Sequence, residues 1–156
     1  MIRRRRIQPL PWAWDDGGRA AAGFRGHAGD CVTRAIAIAA GLPYRQVYDG
    51  LDYLAGKMGC PCGGHAAGTA RTGLDRAVYR RYLAGLGWAW QPTMGIGTGC
   101  RVHLRAGELP PGRIITRLTG HLAAVIDGVV HDTEDPGRLG TRCVYGYFLP
   151  SDQEES

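Results

Sequence analysis

Asp127-Gly128 stands between two apolar runs, Leu122–Ile126 and Val129–Asp132. Flanked in this way the dipeptide is the strongest short hairpin signal in the chain, because both residues tolerate the positive φ of a two-residue turn. Such a turn pairs Ile126 with Val129, and paired residue numbers then sum to a constant. Ala123 therefore falls opposite Asp132, and His121 opposite Glu134 if the pairing extends so far. Side chains alternate faces along a strand, so His121 and Asp132 share one face as diagonal neighbours, while His131 points to the other. Glu134 is the competing carboxylate, on the right face but beyond the expected ladder.

A second stretch gives this pair something to act on. In Gly29-Asp30-Cys31-Val32-Thr33-Arg34-Ala35-Ile36, Asp30 is a good helix N-cap, and the apolar run after it lasts until Gly41. Cys31 then lies in the first turn of a largely buried helix. Unpaired N–H groups and the positive end of the dipole favour thiolate there and can hold an oxyanion. Cysteine more often only packs in a core. Thiol chemistry needs a base near the sulfur and a group that orients the base. Cys31, His121 and Asp132 are the candidate nucleophile, base and orienter.

The remaining segments supply a scaffold of helices followed by strands, the pattern of an α+β fold. Residues 1–23 form a basic segment rich in Pro, Gly and Trp, expected to be irregular, with Arg3–Arg6 a solvated tail. A second helix is expected from Pro43 to about Gly56, with Tyr44, Val47, Tyr48, Leu51 and Leu54 on its apolar face. A third is expected over Thr72–Leu86, with Leu74, Val78, Tyr82, Leu83 and Leu86 inward and Arg76, Arg80 and Arg81 on a solvated face. Strand character begins at Trp88, and short strands are expected at Arg101–Leu104, Ile114–Leu118 and Arg142–Leu149. Residues 24–150 read as a single domain and 151–156 as an acidic tail.

Composition narrows the function classes. No apolar run reaches the ~18 residues of a membrane span, and Ile7–Trp12 is too interrupted for a signal-peptide core, so a cytoplasmic protein is expected. The net charge of +5 is almost wholly arginine and is spread along the chain, which leaves nucleic acid a lesser partner. Five cysteines do not suggest a secreted disulfide framework; the thiols are expected to be reduced, with Cys143 packed in the core. Cys60, Cys62 and His65 form an alternative zinc site, with Cys100 or His103 as fourth ligand, although Cys-x-Cys is tight for a tetrahedral chelate.

A helix-capping cysteine, then helices, then a strand with His and a returning strand with Asp resembles the chain order of papain-like cysteine peptidases. That order also covers bacteriocin-processing peptidases, transglutaminase-like enzymes and, loosely, ovarian-tumour-type deubiquitinases. Segments 30–36, 120–133 and 140–147 are further similar to a family found in bacteria and phages, a likeness spanning most of residues 24–148 that carries no activity with it. The resemblance implies a papain-like fold, N-terminal helices with the cysteine at a helix start packed on a C-terminal antiparallel sheet. It implies a cysteine hydrolase acting on a protein or peptide substrate without a cofactor, with Cys31 as nucleophile, His121 as base and Asp132 as orienter. Papain-like enzymes place an oxyanion Gln shortly before the cysteine. Here position 25 is Arg, His27 and Asp30 are the nearest polar residues, and Gln8 lies well upstream. The Cys31 main-chain N–H and Asp30 are left as the oxyanion candidates. The alternative reading is a non-catalytic binding protein on the same fold, aimed at a host protein or nucleic acid.

Overall fold

The computed structural model describes residues 6–26, 28–59 and 68–151. Cys60, Cys62 and His65 lie outside them, as do His27, most of the arginine-rich tail and the acidic tail. Within the described residues the chain is a mixed α+β protein of three α-helices and a six-stranded sheet. In chain order the elements are β1 (Trp12–Trp14), α1 (Cys31–Ala40), α2 (Tyr44–Met58), β2 (Gly68–Thr69), β3 (Gly73–Leu74), α3 (Arg76–Gly85) and β4 (Trp88–Pro92). There follow β5 (Val102–His103), β6 (Arg113–Leu118), β7 (His121–Ile126), β8 (Val129–Asp132), β9 (Cys143–Val144) and β10 (Gly146–Pro150).

The sheet runs β1-β8-β7-β6-β10-β4. Four of its five contacts are antiparallel, but β1 lies parallel to β8, with Trp12 beside Val130 and Trp14 beside Asp132. The expectations of an irregular segment 1–23 and of a wholly antiparallel sheet are both corrected by this strand. Three residues of Trp-Ala-Trp are too few for a period to be read. A parallel neighbour also needs a long crossover, which here is the entire helical part of the chain.

Both faces of the sheet are covered. Ile115, Leu122, Ala124 and Phe148 pack under the helices, while Ile114, Leu118, Ala123, Val125 and Val130 form a second core with Leu104 and Val144. Burial on two sides explains why β7 reads as an almost continuous apolar run after His121. Helix α1 sits centrally on the helical side, and its buried Ala35, Ala37 and Ala39 let it lie close to its neighbours. It ends as expected at Gly41, which takes the left-handed conformation at φ 67° and returns its N–H to the Ala37 carbonyl. Helix α3 begins four residues later than expected, because residues 73–74 form β3 in a small hairpin with β2. Leu74 consequently belongs to a strand, Leu86 is exposed, and the buried aromatic of α3 is Tyr79.

Cys100 and Cys143 form a disulfide, with their Cα atoms 5.8 Å apart. This corrects the expectation that the thiols are all reduced and that Cys143 merely packs. Its cause is the β5–β9 pairing, which sets His103 against Cys143 and leads the chain from Cys100 alongside.

Two measurements test this packing. A Cβ on Gly146 would collide with the Trp90 indole and come within 2.8 Å of the Gln91 carbonyl oxygen. Gly146→Ala should therefore cost about 1–3 kcal/mol in urea unfolding, the usual range for overpacking. The disulfide closes a 43-residue separation. Cys100→Ser should lower stability by about 2–4 kcal/mol, and added dithiothreitol should destabilise the wild type but leave that variant unchanged.

Candidate active site

The hairpin forms in the expected register: Ile126 pairs with Val129, Val125 with Val130 and Ala124 with His131. Asp127 and Gly128 both take positive φ, 47° and 78°. The β7–β8 ladder stops at the Ala124–His131 pair. Ladder bonds alternate along a strand, so Leu122 is the next residue of β7 to present its N–H towards β8. Here it faces Cys31 instead, and the Leu122 N–H helps to lower the thiol.

Past the end of the ladder, the two same-face side chains converge. His121 Nε2 lies 2.6 Å from Asp132 Oδ2, and the His121 ring is close enough to the Cys31 thiol to lower it while its own pKa rises. With Nε2 committed to the carboxylate, Nδ1 is the ring atom left for sulfur. His131, on the opposite face, is 3.6 Å from Asp15 instead. Glu134 lines the same cleft without bonding His121. The structure thus brings Cys31, His121 and Asp132 together from three elements and leaves the competing His and Glu out.

Asp132 is only 4% exposed and fully engaged. Its Oδ1 accepts from the Thr133 N–H at 2.7 Å and from Arg34 Nη2 at 3.4 Å. Its main-chain carbonyl accepts from the Asp15 N–H at 3.1 Å and from the Trp12 indole N–H at 3.0 Å. Sequence reasoning missed Trp12 and Arg34. The spacing Asp30-x-x-x-Arg34 was the available signal for Arg34, being one helical turn.

Asp30 occupies the N-cap position of α1, but its side chain makes no cap bond. The carboxylate is buried and taken up by Arg34, by Tyr44 Oη at 2.5 Å and by Arg19 Nε at 3.5 Å. Two guanidinium groups outbid a single backbone N–H for a buried carboxylate. An acceptor committed in this way cannot donate to an oxyanion, so Asp30 is withdrawn as an oxyanion residue. Gln8 is also excluded: it is exposed and does not line the cleft, and its carbonyl accepts from Ala106. The Cys31 N–H remains, at the first position of α1, where a helix offers it no acceptor.

Burial alone would push the Cys31 thiol up. It is outweighed by the bonds from His121 and the Leu122 N–H and by the charges of His121 and Arg34, so the net shift is downward. For His121, burial pulls down, while Asp132 and Cys31 hold the proton and raise the imidazole to about 9. Asp132 is lowered, its burial overcome by His121, the Thr133 N–H and Arg34. Opposite shifts at sulfur and imidazole favour a thiolate–imidazolium pair at neutral pH.

These groups line a cleft of about 1040 Å³, bounded by the segment before α1, the β3 end of the β2–β3 hairpin and the turns around residues 120 and 133–138. No group of three metal-ligating side chains occurs among the described residues. Of the proposed fourth zinc ligands, Cys100 is in the disulfide and His103 Nδ1 is 3.2 Å from Glu108. No helix is long and apolar enough to cross a membrane among the described residues. No family model, curated protein or solved structure matches the chain.

The two shifts act on stability in opposite pH directions. The raised His121 contributes stability that is complete below about pH 6.5 and lost as pH rises through about 9. The lowered Cys31 contributes stability that is complete above 9.0 and lost as pH falls through its depressed value. An NMR titration of the His121 ring should therefore give a midpoint near 9 in the wild type. In Asp132→Asn, burial acts against a weaker partner, and the midpoint should drop to the ordinary histidine range or below it.

Proposed function

We propose that the chain is a cysteine hydrolase with a papain-like arrangement of its site, cleaving a peptide, isopeptide or related acyl bond through a thioester. The observation that carries this reading is the convergence of three elements on one point, where Asp132 holds the His121 ring at 2.6 Å and the ring in turn lowers the Cys31 thiol. The Cys31 thiolate attacks the substrate carbonyl carbon, and the carbonyl π pair moves onto oxygen. Collapse of that intermediate expels the amine, which takes its proton from the His121 imidazolium and leaves an acyl thioester. Water then attacks the thioester, His121 accepts the water's proton, and the thiolate leaves as the acid product forms. Asp132 keeps the ring oriented and stabilises its charge throughout.

Alkylation tests the pair directly. Iodoacetamide at pH 6 should label Cys31 rapidly and stoichiometrically, as mapped by mass spectrometry. His121→Ala should slow that labelling, because the thiolate loses the imidazolium that lowers it. A Cys31 that reacts no faster than an ordinary thiol, or ignores the loss of His121, sinks the reading. A biological effect retained in Cys31→Ala would instead favour a binding protein without turnover.

A further inference from the structure

Only one oxyanion donor has been placed so far, the Cys31 N–H, and one donor serves a tetrahedral intermediate poorly. The cleft holds further donors, one from the sheet and one from α3. Strand β7 carries His121 and has β8 with Asp132 on one flank and β6 on the other. On β6, Arg117 pairs with Leu122, the residue whose N–H helps to lower the Cys31 thiol. Arg117 has the parity of Ile115 and so shares the helical face, where α3 brings Tyr79. Both side chains line the cleft that contains Cys31.

The two are also underused. Tyr79 is 5% exposed, its ring set edge-on against Phe148 with centroids 6.1 Å apart. Its hydroxyl forms no hydrogen bond among the described residues, yet it is not one of the sealed orphan atoms, which are Arg34 Nε and Arg142 Nε. The hydroxyl therefore keeps access to the cleft. Arg117 lies 5.7 Å from the Tyr145 ring centroid and has no carboxylate within ion-pair distance among the described residues. Burial raises the Tyr79 phenol against the nearby charges of Arg117 and Arg76, so at neutral pH the group keeps its proton and can only be a donor or a neutral acceptor.

We propose that the Tyr79 hydroxyl is the second oxyanion donor, with the Arg117 charge beside it, filling the role for which no glutamine is present. This assignment rests on the hydrolase reading. When thiolate adds to a carbonyl, the displaced π pair settles on oxygen. The Cys31 N–H and the Tyr79 O–H donate to it from two directions until the carbonyl re-forms and the leaving group departs. The α3 helix, not a residue preceding the cysteine, then completes the site.

Two reactions of the same sulfur separate the possibilities. Iodoacetamide alkylates thiolate by direct displacement of iodide and forms no oxyanion. p-Nitrophenyl acetate acylates it through a tetrahedral oxyanion and releases p-nitrophenolate. Tyr79→Phe keeps the ring on Phe148 and removes only the donor. It should slow p-nitrophenyl acetate acylation of the full chain about 100-fold, with an unchanged melting temperature and alkylation of Cys31 at the wild-type rate. Acylation at the wild-type rate in Tyr79→Phe overturns the oxyanion assignment and leaves the hydrolase reading standing. A parallel fall in both reactions overturns it too, since Tyr79 would then be acting on the thiolate. If the wild type alkylates but never acylates, the hydrolase reading fails and the assignment with it.

Discussion

Arg34 joins two buried carboxylates, Asp30 beside the nucleophile and Asp132 behind the base. The helix and the sheet are locked together at this guanidinium. The cluster is completed by Arg19 and Tyr44 at Asp30 and by His121 at Asp132. Such a cluster is weak evidence of net stability, because desolvation offsets most of the attraction. What it supplies is position. With one end on α1 and the other on β8, it fixes how the first turn of the helix meets the end of the hairpin.

The electrostatics of the site follow from that placement. Asp132 receives three donors on its carboxylate and two on its carbonyl, so it is held in one rotamer and one charge state. It passes that certainty to His121, whose Nε2 is committed and whose remaining nitrogen faces sulfur. The Leu122 N–H reaches the thiol only because β8 departs from β7 one pair too early to claim it. A ladder that continued would have satisfied that N–H and withdrawn a donor from the thiol.

Local rules carried far in this sequence. The Asp127-Gly128 turn set the register, the register set the faces, and the faces chose His121 and Asp132 over His131 and Glu134. The limits of α1 were legible because Gly41 is the one residue there at ease with φ 67°. Long-range pairings were not legible. Trp12–Trp14 carries no period and becomes a strand only because β8 offers an edge. Asp30 reads as a cap until Arg19, Arg34 and Tyr44 compete for its carboxylate. Cys100 and Cys143 look like spare thiols until β5 and β9 bring them together. A helix begun at Arg76 rather than Thr72 buries Tyr79, because residues 73–74 are taken into β3. For Trp12–Trp14 and for the two cysteines the deciding partner lay dozens of residues away.

The indole of Trp12 donates to the carbonyl of a residue 120 positions later. That contact closes the longest loop in the site, and its entropic cost must be met before any reward arrives. It also sets an order of events on the ribosome. Cys31 emerges early, yet its imidazole partner comes 90 residues after it, and the strand that clamps Asp132 has been waiting at the N-terminus all along. A growing chain therefore carries an ordinary, unactivated thiol through most of its synthesis. The reactive sulfur comes into being only when β7 and β8 reach the start of α1.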